Sequence, residues 1–474
     1  MPELVWYRSD LRTIDAEHLS AACERSSDVH ACFMITPGQW RRHGIGSNHV
    51  EYLRRSLEDL GSRLAELNIP LHVRTVAEYA DVPGVVRELV AETGSTAVHW
   101  GREYGVNELA RDDETRAALA ETGAEVIEHD TQWVARPGSI RTGTDGPYKV
   151  FTPYLKSWRT ALPSNLASTG RHRPEPRPGT RPKAAEIPAR IEGFVDHVDL
   201  DDWPIGEIEC LAALDRFLTE RAGAYGRDRD IPSIEGTSRL GPALACGVLS
   251  PRGCVLAARE CMKNDDNSIP GTETWVSEIA WRDFYRNIMF EFPRVSMDRA
   301  FRPETEDVAW LDDDDLFAAW CEGRTGYPIV DAAMRALVAT GWMHNRLRMV
   351  TSQFLTKHLL TDWRSGESFF ARHLVDFDFA SNNGGWQWSA STGTDSAPYF
   401  RVFNPTAQGK RFDPDGVFIR RWVPELADLG KSQIHEPQRR GGDLWNPGRY
   451  PEPVVDQSDG RKRAIQAFAD LKKK

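Results

Sequence analysis

The hydrophobic and polar positions of the first 130 residues follow two alternating periods. Short apolar runs predict β-strands, and the stretches between them repeat apolar residues every three or four positions. The clearest helical stripe runs from Val50 to Leu67. Strands that alternate with helices predict a doubly wound parallel sheet, so residues 1–130 should form a Rossmann-like α/β domain. The predicted strands are Leu4–Arg8, Val29–Ile35, Ile69–Thr75, Thr96–Trp100 and Ala124–Asp130.

The pattern changes twice beyond this domain. Residues 131–200 include a run rich in Pro, Arg, Ala and Ser that has no hydrophobic period, which predicts an extended interdomain linker. Residues 201–474 repeat apolar positions with a helical period, and they should form an all-α second domain. The strongest helical segments are Pro242–Met262, Trp275–Phe290, Pro328–Gly341 and His344–Leu360.

Composition narrows the class of protein. Hydrophobic residues make up 40% and charged residues 27% of the 474 positions, as in ordinary globular proteins. The net charge of -11 argues against a uniformly basic surface, so any contact with nucleic acid must be local. Seven scattered cysteines without a CxxC pair predict reduced thiols and no metal site. Because no signal sequence or long apolar span is evident, we expect a cytoplasmic protein that does not enter a membrane.

The first domain carries polar side chains where its strands should end. It has no GxGxxG or Walker pattern, so it is not a standard nucleotide-binding domain by motif. Ligands of doubly wound sheets bind at the carboxyl ends of the strands. His43 follows the second predicted strand, and Asn107 and Glu108 follow the fourth. Asn107 is equally compatible with a helix-capping role.

Two long motifs say more than composition does. They are TGYPIVDAAMRALVATGWMHNRLRM, from Thr325 to Met349, and NNGGWQWSASTGTDSAPYFRVFNP, from Asn382 to Pro405. Both closely resemble the flavin-binding core of the photolyase/cryptochrome family, and most of all the class I cyclobutane pyrimidine dimer DNA photolyases of bacteria. The resemblance implies light-driven repair by electron transfer from excited FADH⁻ to a flipped dimer. It also implies UV-damaged DNA as the partner of a monomeric enzyme.

The resemblance implies which residues hold FAD. Thr237 and Ser238 also lead into a helix, where hydroxyls and main-chain amides make a natural anion site. Asn382 matches the residue that faces flavin N5, and it favours repair because plant-type cryptochromes carry Asp there. The implied FAD ligands are Tyr225, Thr237, Ser238, Arg239, Leu240, Arg282, Arg348, Asp376, Asp378 and Asn382.

Three further sets follow from the same resemblance. The implied lesion-site residues are Glu278, Trp281, Asn345, Met349 and Trp388. Asn345 stands where (6-4) photolyases need a second histidine, which favours cyclobutane dimers. The implied chain of indoles that reduces oxidised flavin is Trp310, Trp363 and Trp386. The implied phosphate contacts are Arg229, Arg346 and Arg401. From the residues alone, core packing is the default interpretation of each indole, and a solvated charge is the preferred interpretation of each arginine.

In the first domain the resemblance implies an antenna chromophore. The folate-type enzymes hold methenyltetrahydrofolate with residues that match His43, Asn107 and Glu108. The lysine that the family carries near the interdomain loop has no match around Ser296. A deazaflavin or an empty antenna site therefore remains open. The alternative function is that of a cryptochrome-like blue-light photoreceptor without repair activity.

Overall fold

The structure is a computed structural model that describes residues 1–166, 173–311, 313–440 and 450–471. The chain folds into two compact units. The sheet unit comprises Met1–Gly223, Ser238–Met297 and Val375–Asp378, and the helical unit comprises Ala224–Thr237, Asp298–Leu374 and Phe379–Lys474. These two units are defined by how compactly the backbone packs. The predicted boundaries at residues 130 and 200 were instead placed where the hydrophobic period changes and where each implied ligand should bind. That division therefore stays a prediction.

A parallel sheet forms the centre of the sheet unit. Within the described residues its strands are β1 Glu3–Tyr7, β2 Val29–Ile35, β3 Leu71–Thr75, β4 Ala97–Gly101 and β5 Glu125–His129. Their order is β3-β2-β1-β4-β5, and every neighbouring pair is parallel. The predicted strands and fold class are confirmed. The winding reverses between β1 and β4, so the carboxyl ends of these two strands form the switch point at which such sheets bind ligands.

The α-helices are numbered in chain order. They are α1 Glu17–Arg25, α2 Pro37–Arg42, α3 Ser47–Glu66, α4 Val82–Thr93, α5 Val106–Ala120, α6 Phe151–Asn165, α7 Glu207–Glu220, α8 Tyr225–Asp228, α9 Gly241–Ala245, α10 Pro251–Asn264, α11 Ile269–Glu291, α12 Asp314–Cys321, α13 Pro328–Thr340, α14 Asn345–Gln353, α15 Trp363–His373, α16 Phe379–Ala390, α17 Pro405–Phe412, α18 Val417–Trp422 and α19 Gln457–Asp470. A π-helix, Phe354–Leu359, continues α14. Among the described helices, none combines the length and apolar character needed to cross a membrane.

The apolar patterns explain the packing of the sheet unit. Both β1 and β4 are buried along their whole length, as expected for strands covered on two faces. Trp6 and Trp100 meet edge to face in this core, with ring centroids 5.5 Å apart. The predicted stripe of α3 is largely buried, including Val50, Leu57 and Leu64.

The described part of the predicted linker is held on the sheet unit. Residues 173–200 form neither helix nor strand. Arg173 donates to the Arg63 carbonyl at the end of α3, and the Arg177 amide donates to the Leu67 carbonyl at 2.8 Å. Residues 167–172 of the predicted linker lie outside the described residues. These contacts tie an aperiodic segment to a helix end.

Two helix predictions were wrong in detail. The predicted helix Pro242–Met262 is broken into α9 and α10, because Gly247 adopts a left-handed φ of 67°. A Cβ at this position would lie 2.1 Å from the Ser9 carbonyl oxygen. The predicted helix His344–Leu360 begins one residue later, because the His344 side chain caps it, and its last turn is π-helical.

Candidate functional site

The sheet unit gathers the predicted antenna residues at the rim of its sheet. The Asn107 amide lies 2.9 Å from His43 Nε2, and His43 Nδ1 lies 3.7 Å from the Glu108 carboxylate. Tyr79 donates to the same carboxylate at 3.2 Å and packs edge-on against His43. Asn107 does not cap α5, since Gly105 holds the cap position. The fold therefore brings together a histidine, an amide and a carboxylate that lie far apart in sequence.

Charged side chains fill the switch point beside this cluster. Asp112 accepts from Arg8 at 2.6 Å and from Arg111 at 2.8 Å. Arg111 also donates to Glu103 at 2.9 Å, and Ser9 donates to that carboxylate at 2.6 Å. Burial raises the pKa of Glu103, but Arg8 and Arg111 outweigh burial and bring the pKa down to about 2. The switch point thus holds a paired charge network made of the chain itself.

The predicted phosphate-binding turn leads into α9. Arg239 adopts a left-handed φ of 54°, which is rare for a residue with a side chain and is typical of functional turns. Its guanidinium lies 4.2 Å from the ring centroid of Trp203. The Leu240 amide donates to Ser238 Oγ at 3.5 Å, and Leu240 is buried. Thr237 ends the segment of the helical unit that precedes this turn.

The carboxylates Asp376 and Asp378 lie close to this part of the sheet unit. A Cβ on Gly241 would lie 2.7 Å from an Asp376 carboxylate oxygen, so only glycine leaves room for this approach. Asp378 accepts from Arg286 on α11 at 2.6 Å. The sheet unit therefore holds Asp378 by an ion pair and places Asp376 next to Gly241.

Helix α11 carries three predicted residues on one face. Glu278, Trp281 and Arg282 are three and four positions apart, which places them on the same side of a helix. Trp281 stacks on Phe151, with ring centroids 3.6 Å apart and planes 11° apart. Glu278 is half-buried. One face of the Trp281 indole is therefore covered by α6.

Arg282 is buried and uses main-chain acceptors. It donates to the Gln132 carbonyl at 2.7 Å and to the Leu244 carbonyl at 3.0 Å. Burial lowers the pKa of Arg282 to about 9, and Arg286 acts in the same direction. The side chain ties the segment after β5 and α9 to α11. Its observed contacts are those of a structural residue, and its predicted role toward FAD stays a prediction.

The same helix is anchored by a buried carboxylate. Asp283 accepts from Trp158 Nε1 at 2.9 Å and from the amides of Val134 and Ala135 at 3.1 and 3.0 Å. These bonds connect α6 and the segment after β5 to α11. Contacts with α6, with α9 and with the segment after β5 thus set the position of α11, which carries Glu278 and Trp281.

In the helical unit, Asn382 sits on α16 against α15. Its Nδ2 donates to the Glu367 carbonyl at 3.1 Å, which leaves the amide oxygen able to accept. The next amide, Asn383, donates to the Glu367 carboxyl at 3.0 Å and accepts from Gln387 at 2.9 Å. Burial raises the pKa of Glu367 to about 8, so this carboxyl is protonated at neutral pH. The main-chain carbonyl of Glu367 therefore orients the Asn382 amide, while its carboxyl holds the neighbouring Asn383.

Asn345 and Met349 lie one helical turn apart on α14. Arg346 donates to Met349 Sδ at 3.7 Å, and its Nη2 lies 2.9 Å from both carboxylate oxygens of Asp230. His344 caps the helix by accepting from the Arg346 amide at 3.2 Å. Burial lowers the pKa of His344 to about 4, so the imidazole is neutral. Asn345 is exposed and Met349 half-buried.

The other predicted residues of the helical unit occupy varied surroundings. Tyr225 is buried beneath the Arg229 guanidinium, which lies 5.5 Å from its ring centroid. The Arg348 guanidinium donates through Nε to the Met343 carbonyl at 2.8 Å. Trp388 is half-buried, and Arg401 is exposed in the loop before α17. These positions leave their predicted roles as predictions.

The three predicted electron-transfer indoles differ in burial. Trp386 and Trp363 are buried, whereas Trp310 is half-buried. Trp386 packs edge-on against Phe370 at 4.9 Å, and a Cβ on Gly366 would lie 2.1 Å from its ring. Trp310 packs edge-on against Phe468 of α19 at 6.1 Å.

Sequence reasoning missed four residues that support these sets. Two had a signal in the pattern: Glu367 is an acid on the apolar stripe of α15, four positions after Trp363, and Arg286 lies one turn after Arg282. Phe151 and Asp230 gave no signal, because their partners lie over a hundred residues away in the chain.

Both the N-terminal and the C-terminal parts of the chain match families of known proteins. Residues 3–177 match the family described as DNA photolyase, and residues 275–470 match the FAD binding domain of DNA photolyase. The deoxyribodipyrimidine photo-lyase of Escherichia coli K12 is 41% identical over 99% of this chain and 99% of its own. A bacterial class III photolyase from Agrobacterium tumefaciens is 34% identical, with a TM-score of 0.87 over 100% of this chain and 98% of that one.

A cryptochrome from Synechocystis sp. PCC6803 has the same TM-score of 0.87 at 26% identity, covering 98% of this chain and 99% of that one. The fold is therefore shared by repair enzymes and by a cryptochrome, while the sequence is nearer to the photo-lyases. With both family models matched and a relative 41% identical over nearly its full length, this chain belongs to the DNA photolyase family.

Proposed function

We propose that this protein is a deoxyribodipyrimidine photo-lyase that repairs cyclobutane pyrimidine dimers in DNA with light. The observation that carries the proposal is its likeness, over 99% of both chains, to an enzyme of that name. The cryptochrome neighbour makes fold alone a poor guide to activity. Asn382 favours repair, because an amide does not supply a proton to flavin N5 as a carboxylic acid can.

FAD is the cofactor that the matched domain implies, and the described residues fit it. The turn with left-handed Arg239 leads hydroxyls and main-chain amides toward α9, and Gly241 lets the Asp376 carboxylate approach this turn closely. The amide oxygen of Asn382 can accept from N5–H. When bound and reduced, FAD supplies on illumination the electron that opens the cyclobutane ring. We assign its binding to Tyr225, Thr237, Ser238, Arg239, Leu240, Arg348, Asp376, Asp378 and Asn382.

The residues proposed to contact the lesion lie on α11, α14 and α16. Trp281 has one face against Phe151, so a flipped base can stack only on the other. Such stacking contributes about 1–3 kcal/mol per base. Glu278 lies on the same helix face as Trp281 and would donate to the carbonyl of a pyrimidine if protonated. Asn345, Met349 and Trp388 complete the proposed set.

DNA phosphates would be held by arginines of unequal availability. Arg346 is already engaged by Asp230, and Arg229 lies over Tyr225, whereas Arg401 is exposed. Arg401 should therefore release counterions most fully, so its loss should reduce the salt dependence of binding by about one unit of slope. The enzyme is proposed to act as a monomer in the cytoplasm. Its seven cysteines, all within the described ranges, are thiols, as a reducing compartment favours.

For the antenna we propose a folate rather than a deazaflavin. The switch point is filled by the network around Asp112, so a tricyclic chromophore would have to displace paired buried charges. The rim cluster of His43, Asn107 and Glu108 instead offers an amide and a carboxylate side by side. A pterin edge, which carries adjacent donors and acceptors, suits that pair.

The first test uses oligothymidylate that carries cyclobutane dimers, mixed with reduced holoprotein and divided between light and darkness. Thymine absorbance should recover only in the lit sample, and (6-4)-damaged DNA should stay unrepaired. A lit sample without recovery, with reduced FAD verified by its spectrum, would favour the photoreceptor alternative.

The role of Glu278 is tested in the same assay. Glu278→Ala should lower the yield of repair several-fold while FAD stays bound, because the pyrimidine loses its proton donor. Glu273→Ala is the matched control, since Glu273 is an exposed residue of the same helix. Equal yields in the two variants would remove Glu278 from the mechanism.

A further inference from the structure

Lys357 is a buried amine in the helical unit that the proposed mechanism does not use. It lies in the π-helix Phe354–Leu359 and is 0% exposed. Its ammonium donates to the Ala390 carbonyl at 2.8 Å and to Ser391 Oγ at 2.9 Å, and it lies 4.0 Å from the ring centroid of Phe468. Both hydrogen-bond acceptors are uncharged. A lysine in such surroundings is costly to bury, so its retention calls for a reason.

The neighbours of this ammonium connect it to two predicted electron carriers. Ala390 is the last residue of α16, and its carbonyl is one of those that a helix leaves without an intrahelical partner. Trp386 lies one helical turn before it. The Phe468 ring contacts both Lys357 and Trp310, and Trp310 packs edge-on against it with ring centroids 6.1 Å apart. The ammonium is therefore connected to the helix that carries Trp386 by one hydrogen bond, and to Trp310 through the ring of Phe468.

We propose that Lys357 is a positioning residue for the photoreduction of FAD, whose charge holds the carboxyl end of α16 and raises the energy of an electron hole on Trp310. The inference rests on the proposed function, in which one electron passes from Trp310 through Trp363 and Trp386 to light-excited oxidised FAD. The hole on Trp310 is then filled by an electron from a thiol added to the solution. A cation one ring away repels that hole, so the charge shortens its lifetime by favouring return of the electron.

The charge of Lys357 should change near neutral pH. Burial lowers the pKa of Lys357 from 10.5 to about 7, and the positive charge of Arg302 acts in the same direction. The carboxylates of α12 are exposed, and α16 has no charged residue. On the packed elements, the charged and titratable side chains that are not exposed are Arg346 and Arg348 of α14, His358 of the π-helix, Arg364, Glu367 and His373 of α15, Arg463 of α19 and Cys321 of α12.

Flash spectroscopy of the holoprotein with oxidised FAD tests this inference. In the unaltered protein the oxidised indole should live several-fold longer at pH 9 than at pH 6, with a midpoint near 7. Lys357→Met should give the long lifetime at every pH, and Lys357→Arg the short one. Arg302→Met is the matched control, since it leaves Lys357 in place and should move the midpoint to higher pH.

A second readout does not depend on the flavin. Because the pKa is lower in the folded chain, unfolding free energy should rise with pH between about 7 and 10.5, and Lys357→Met should lack that rise. A lifetime that does not vary with pH in the unaltered protein would overturn the inference, as would equal lifetimes in it and Lys357→Met. Absence of any oxidised indole would overturn it together with the electron route. Dimer repair by chemically reduced protein would still decide the proposed function.

Discussion

At the switch point of the sheet, two arginines (Arg8 and Arg111) pair with two carboxylates (Glu103 and Asp112). In the helical unit, Glu367 and Lys357 are instead buried with uncharged hydrogen-bond partners. The consequences for the pKa are opposite. Glu103 is held ionised, with a pKa of about 2, while Glu367 and Lys357 have pKa values moved to about 8 and about 7. Both regions bury ionisable groups, yet only the helical unit leaves them able to change charge near neutral pH.

This difference indicates that the charges at the switch point stabilise the fold, whereas the buried ionisable groups of the helical unit are candidates for a chemical role. The charges of the paired network do not change in the physiological pH range, so the network stabilises the carboxyl ends of β1 and β4 at any such pH. Groups whose pKa values are displaced by burial cluster at functional sites more often than elsewhere. The two regions can therefore be told apart by substitution.

The largest effect is expected at the centre of the paired network. Asp112→Asn leaves Arg8 and Arg111 buried beside one carboxylate instead of two. Breaking a buried pair in this way costs about 3–5 kcal/mol of unfolding free energy. Urea titration measures the loss. Asp113→Asn is the matched control, because its carboxylate is exposed and pairs only at the surface with Arg116, so its cost should stay below about 1 kcal/mol. Similar losses in the two variants would contradict the view of a buried network.

A smaller effect with a pH signature is expected at Glu367. Its pKa is raised from 4.5 to about 8 in the folded chain, so the stability that it contributes is full below about pH 4.5 and is lost as the pH rises through 8. The glutamine of Glu367→Gln cannot ionise. At pH 9 the free energy of unfolding of this variant, measured by urea titration, should exceed that of the unaltered protein by about 2–4 kcal/mol. At pH 5 the two should be nearly equal. Glu322→Gln, at an exposed position, should show no such dependence.

The smallest effect on stability is expected at the rim cluster. Asn107→Ala removes an exposed amide contact with His43 and should change the free energy of unfolding by less than about 0.5 kcal/mol. Its effect should fall on ligand binding, with roughly fivefold weaker affinity for added methenyltetrahydrofolate. Absorbance titration measures this, with Glu114→Ala, an exposed residue of the same helix, as control. Unchanged affinity would separate Asn107 from the antenna site.

The parallel sheet was readable from the sequence because its central strands, β2, β1 and β4, are almost wholly buried and appear as apolar runs, although the outer strands β3 and β5 are only partly buried. The helix break at Gly247 was not readable, since it depends on the approach of Ser9 from the first strand loop. The site sets came from long motifs, which name residues but not their partners. The contacts of Arg346 with Asp230 and of His43 with Asn107 join segments 116 and 64 residues apart, and no local pattern records them.

Gly366 gives the indole of Trp386 a backbone rather than a side chain to rest on. A neighbour with rotatable bonds could let the ring swing as the core repacks, but a main chain within a helix cannot move out of the way. The orientation of this indole therefore depends on how α15 and α16 pack against each other. A side chain at position 366 would collide with this ring, so it would have to turn the indole or move the two helices apart.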